Sequence, residues 1–154
     1  MQEPTQSAHE ISEHLLDRTG NAIMSDRFTD FLACFVLPYH METLESSRLI
    51  STAPGMETTF QAVRAHLNKH EITLMARHCV SASFRSETEV AATHETRLIS
   101  RGVMVQQPYP TFSVIRRGWD KRWRISSSSY VIVDSDPLNA ALAAHTQAAR
   151  NAAT

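Results

Sequence analysis

Cysteine is scarce in this chain. Cys34 and Cys79 are the only two, they lie far apart in apolar stretches, and they form no CxxC pair. A disulfide framework, a zinc knuckle and dithiol redox chemistry are therefore unsupported, and the two read as small reduced hydrophobes in a core. Net charge is also nearly absent, at −1, which gives no general attraction for nucleic-acid backbones or anionic lipid. Lys69 and Lys121 are the only lysines among fifteen basic residues, a bias on which no function is placed. No apolar run approaches membrane-spanning length, and Met1 to Ser7 shows no basic region followed by an apolar one. Neither a membrane partner nor a signal peptide is expected, and the expected compartment is the cytoplasm. No internal repeat or linker divides the chain.

What is present is an ordinary globular balance: 154 residues, 42% of them hydrophobic and 20% charged. That length holds one domain, here 1–154, with a core that needs no staple. Ile11, Leu15, Leu16, Ala22 and Ile23 form a helical stripe over residues 10–24. Ser25 and Asp26 offer caps for a short second helix striped by Phe28, Phe31, Leu32 and Phe35, which Pro38 ends. A strand from Leu37 to Thr43, a turn and a strand from Arg48 to Ser51 come next. Met56, Phe60, Val63 and Leu67 mark a third helix. Beyond Glu71 the chain reads as two hairpins, with strands at Ile72–Arg85, Glu89–Arg101, Tyr109–Arg117 and Arg122–Val133. Asp136 and Pro137 suit the start of an Ala-rich last helix at about 137–150. The core spans about 8–135. The fold class expected is α+β: helices packed on the concave face of a strongly curved antiparallel sheet, enclosing a small apolar cavity.

Strand alternation predicts which side chains enter that cavity. In the first hairpin the even positions are the apolar ones. A three-residue turn, Arg85 to Glu87, keeps even opposite even and sets Arg77 opposite Glu95. It also sets His78 opposite His94, both inward. In the second hairpin a loop at Gly118 to Lys121 pairs Arg117 with Arg122, which turns Phe112, Val114, Ile125, Ser127 and Ser129 inward and Ser113 and Ile115 outward. A bulge in either long strand would reverse part of this assignment. In the earlier strand, parity allows either Tyr39 with Met41 or His40 with Glu42 to face the cavity; the second choice supplies a carboxylate base.

The segments "HLLDRTGNAIMSDRFTDFLACFVLP", "FQAVRAHL" and "RRGWDKRWRISSSSYVIV", in the order helix, helix, hairpin, helix and four-stranded meander, resemble the nuclear transport factor 2-like superfamily, in particular its SnoaL-like members. The resemblance covers roughly residues 8–135. It implies a cone-like (cystatin-like) fold with an apolar cavity, and a homodimer through the open sheet face. It also implies a small apolar, polyketide-like or steroid-like ligand. The isomerases and cyclases of that superfamily use an acidic residue, usually Asp, in the cavity. Here no Asp occurs between Asp30 and Asp120, so an Asp-based proton transfer is not expected.

Three functions follow from these readings. The first is a binding domain for a small apolar molecule, with Phe31, Phe35, Phe60, Phe112, Val114, Ser127, Ser129 and Glu42 as candidate contacts. The second is an isomerase, cyclase or dehydratase in which His78 and His94 move protons, with Tyr39 or Ser127 polarising a carbonyl. The third is an assembly module with a vestigial cavity. The histidine pair shows no third ligand for a metal, and no GxSxG elbow accompanies the serines. No cofactor, metal or nucleic acid is expected.

Overall fold

The computed structural model describes residues 6–131; the helix expected at about 137–150 lies outside them. Helix α1 (Ala8–Met24) opens with a capping box, in which the Ser7 hydroxyl accepts from the Glu10 amide and the Glu10 carboxylate accepts from the Ser7 amide. Its buried stripe runs through Ile11, Leu15, Leu16 and Ile23 and contains two hydroxyls, Ser12 and Thr19, of which Thr19 donates to the Leu15 carbonyl at 2.8 Å. Helix α2 is one turn, Phe28–Leu32. It stops before Phe35, which opens β1 (Phe35–Glu42) instead of closing the helix. The last strand explains the change, because the Ile125 amide takes the Cys34 carbonyl at 2.8 Å and pulls the chain into the sheet. Helix α3 (Ala53–Lys69) is capped by the Thr52 side chain on the Gly55 amide, with a proline in its first turn. It buries Met56, Phe60 and Leu67. Phe60 packs against Phe28 and Phe31 at ring separations of 5.5 and 4.9 Å.

The remaining strands are β2 (Ser47–Ile50), β3 (Leu74–Ser86), β4 (Glu89–Ser100), a short β5 (Val103–Met104), β6 (Tyr109–Arg117) and β7 (Trp123–Tyr130). They form one sheet in the order β2-β1-β7-β6-β4-β3, with β5 beside β4. Every pairing is antiparallel except that of β1 with β7, which run parallel. The sheet is therefore mixed, and β7, the last strand among the described residues, is an interior one.

Bulges overturn the expected registers. The turn of the first hairpin is Glu87–Thr88, with Ser86 paired to Glu89. Two irregularities follow along β3, the second leaving Val80 as an extra residue between Cys79 and Ser81. Beyond it Cys79 lies opposite His94, His78 opposite Glu95 and Arg77 opposite Thr96. Met75, Arg77 and Cys79 are thereby turned toward the helices and His78 away from them. In the second hairpin Arg117 pairs with Trp123, one residue later than expected. Ser126 is then extra between Ile125 and Ser127. Strand β6 consequently buries Tyr109, Thr111, Ser113 and Ile115, and Phe112 stands 51% exposed on the outer face.

Candidate functional site

The helices and the inner face of the sheet enclose a cavity of about 100 Å³. Its apolar wall comes from α1, α2, α3 and β1, through Leu15, Ile23, Phe31, Phe35, Met41 and Met56. Its polar wall comes from the middle of the sheet, where register places side chains in successive rungs. Arg77, Thr96 and Tyr109 form one rung across β3, β4 and β6. Cys79, His94, Thr111 and Tyr130 form the next. Ala92, Ser113, Ser128 and Met41 form the third.

Arg77 is the charged member of this wall. Its side chain is half-buried between α1 and the sheet, and desolvation pulls its proton affinity below the usual arginine value while Tyr130 and Tyr109 oppose that effect. Nη2 donates to the Leu16 carbonyl at 2.7 Å and to the Thr19 hydroxyl at 2.5 Å. Thr19 accepts this bond while donating to Leu15, so one hydroxyl ties the cation to the helix. Gly20 permits the close approach, since a methyl there would lie 3.3 Å from Nη2. Among the described residues no carboxylate comes within ion-pairing distance of Arg77.

His94 is 7% exposed and its pKa is lowered to about 3, first by burial and then by the charges of Arg77 and His78. It is a neutral imidazole. Tyr39 is buried on β1, and burial raises its pKa well above the usual tyrosine value. Its hydroxyl interacts with those of Ser128 and Tyr130. Ser113 and Ser128 share a hydrogen bond at 3.2 Å.

Of the residues singled out from sequence, the structure brings His94, Tyr39, Phe31 and Phe35 to the cavity. Phe60 is in the core behind Phe31, with 0% exposure. The others are corrected. His78 is exposed beyond the Val80 bulge and makes no pair with His94. Phe112, Val114, Ser127 and Ser129 share the outer face, because the later turn and the Ser126 bulge reverse their parity. Glu42 lies on that face too, paired with His40 at 3.3 Å, while Tyr39 and Met41 are the inward set of β1. Sequence reasoning missed Arg77, Thr19, Tyr109, Tyr130, Ser113 and Ser128. Thr19 alone carried a signal, at helical spacing inside the stripe of α1.

No helix among the described residues is long and apolar enough to cross a membrane, and no cluster of potential metal ligands occurs among them. No protein-family model matches the sequence, and no curated protein matches it. Solved structures do. A nuclear transport factor 2-like protein of unknown function from Shewanella oneidensis superposes with a TM-score of 0.62 at 11% identity, over 79% of this chain and 97% of its own. A ketosteroid isomerase-like protein from Erwinia carotovora atroseptica gives 0.59 at 10% identity, over 84% and 100%. A cystatin-like domain of unknown function from Nostoc punctiforme gives 0.63 at 14%, over 82% and 78%. The curved sheet, the three helices among the described residues and the likeness to these structures together identify the chain as an α+β protein with the cystatin-like, nuclear transport factor 2-like fold.

Proposed function

We propose that this chain is a binding domain that holds a small, mostly apolar molecule in the cavity between its helices and sheet. The observation that carries the reading is the composition of the wall: large apolar side chains from the three described helices and from the sheet, with a few polar groups gathered on three rungs of one sheet face. A cavity near 100 Å³ fits a molecule about the size of benzene. Proton transfer is the weaker alternative. The two-histidine arrangement is replaced by a single imidazole whose pKa of about 3 makes it a poor base near neutrality. Tyr39 is shifted the other way, making it a poor acid. Neither group is tuned for chemistry at neutral pH, whereas both suit hydrogen bonding to a bound carbonyl or hydroxyl.

Met41, Met56 and Met75 line the cavity, whereas Met24 and Met104 are exposed. Methyl-labelled protein titrated with benzene or cyclohexanone is expected to shift the first three resonances and leave the last two in place. Shifts confined to the exposed methionines, or none at all, would remove the binding function.

We also propose that two copies pair through the outer face of the sheet. Phe112 is half exposed there, on an interior strand, between Thr93 and Ser129, and an exposed aromatic amid small side chains is a common contact point. Light scattering is expected to report a dimer that Phe112→Lys converts to monomer; a monomeric parent chain would dismiss the pairing.

A further inference from the structure

We propose that the ligand is a small organic acid, an apolar body bearing one carboxylate, and that Arg77 is the residue that recognises the carboxylate. This rests on the cavity being a binding site and names what it selects. A guanidinium carries five N–H donors. Both hydrogens of Nη2 go to α1, on the Leu16 carbonyl and the Thr19 hydroxyl, while Nε and Nη1 make no hydrogen bond or ion pair among the described residues. Those partners satisfy donors without neutralising charge. A half-buried cation with no carboxylate in ion-pairing distance among the described residues gains from an anion brought to it, and such groups are normally found against a carboxylate or phosphate.

Three further observations point to the same occupant. Among the described residues none of the cavity-lining side chains is an Asp or Glu, and Asp17, whose charge favours the protonated guanidinium, makes no ion pair with it. His94, one rung away, stays neutral at physiological pH, so the positive charge is concentrated on Arg77. Thr96 lies directly across the ladder from Arg77, buried and without a hydrogen bond among the described residues, and its hydroxyl is placed to donate to the carboxylate as well. Anchoring by Thr19 also preorganises the guanidinium, which lowers the ordering cost of binding. The apolar wall then takes the body of the acid, and the cavity volume limits that body to about a single six-membered ring.

The test compares benzoate with benzamide, its neutral isostere, by titration at pH 7 with the Met41, Met56 and Met75 methyls as reporters. Benzoate is expected to bind at least about tenfold more tightly, the range of a charge-assisted hydrogen-bonded pair over a neutral one. Arg77→Met is expected to erase that preference, benzoate losing at least about tenfold more affinity than benzamide. Arg77 also ties β3 to α1, so Arg77→Lys serves as a second variant. It keeps the charge but not the planar fork of donors, and is expected to weaken benzoate alone by about tenfold. Equal affinity for the two compounds in the parent chain would overturn acid recognition while leaving a binding cavity in place. If neither compound moves the cavity methyls but benzene does, acid recognition also falls. If benzene fails too, the binding function falls with it.

Discussion

Cys79, and not His78, stands across the β3–β4 ladder from His94. The shifted turn and two irregularities set that register, and the extra residue Val80 reverses the facing beyond it, so that a cationic arginine instead of a second imidazole joins the cavity wall. The consequences are testable at individual positions.

His94 should make stability depend on pH. Its pKa is about 3 in the fold against 6.5 for the free side chain, so between those values the unfolded chain holds a proton that the folded chain does not. Stability is then fully present above about pH 6.5 and declines as pH falls toward 3, at up to about 1.4 kcal/mol per pH unit for this group. Urea titrations at successive pH values should show His94→Gln flattening this slope. His66, also depressed by burial, acts in the same direction and leaves a residual slope. An unchanged slope in His94→Gln would contradict the buried neutral imidazole.

Deleting Val80 should be tolerated better than deleting Ser83, although both lie in the same strand. Cys79 and Ala82 face inward on either side of Val80 and Ser81. Removing Val80 restores simple alternation and leaves both inward sets where they are. The expected cost is below about 2 kcal/mol, chiefly from lost curvature. Removing Ser83, in regular ladder, reverses one side of the strand and should cost clearly more by denaturant unfolding. Equal costs would show that the bulge does not set the facing.

Phenylalanine position should decide the price of truncation. Phe60, fully buried against Phe28 and Phe31, should lose about 3–5 kcal/mol on Phe60→Ala. Phe112→Ala, at a half-exposed side chain, should change the stability of the isolated chain by about 0.5 kcal/mol or less. Comparable losses would mean that Phe112 is covered.

Gly20→Ala weighs helix propensity against Arg77. Alanine inside α1 gains about 1 kcal/mol over glycine, but the new methyl lies 3.3 Å from Nη2, which two hydrogen bonds hold in place. The substitution should therefore stabilise the Arg77→Met variant by about 1 kcal/mol and the parent chain by less than half of that. The same gain in both backgrounds would place the guanidinium elsewhere.

The legible features were those written in local periodicity. The stripes of α1 and α3 and the alternation of β4, whose even residues Val90, Ala92, His94, Thr96 and Leu98 are all buried, each repeat over enough residues to survive one error, whereas the caps expected at Ser25 and Asp26 are not used: Arg27 stands at the start of α2 without a side-chain cap. Facing in β3, β6 and β7 depends on single residues. Val80 and Ser126 leave no compositional trace, and each reverses every side chain beyond it. Arg77 was read as a surface partner of Glu95 because charge pairing favours that register; Glu95 instead pairs with its near neighbour Arg97 at 2.5 Å. Phe35 looked helical because its spacing from Phe31 suits a helix, and the two rings do touch, at 4.7 Å, across the helix-to-strand corner. The parallel seam between β1 and β7 is tertiary and has no local signature.

That seam also governs when the cavity comes into being. Strand β1 and its hairpin partner leave the ribosome some eighty residues before β7, which must slot between them and β6. Until then the nascent chain carries an unpaired β1 edge and an open apolar trough. Contacts so distant along the chain form slowly, so a translational pause or a truncation before Trp123 would leave a half-built sheet inviting aggregation or chaperone capture.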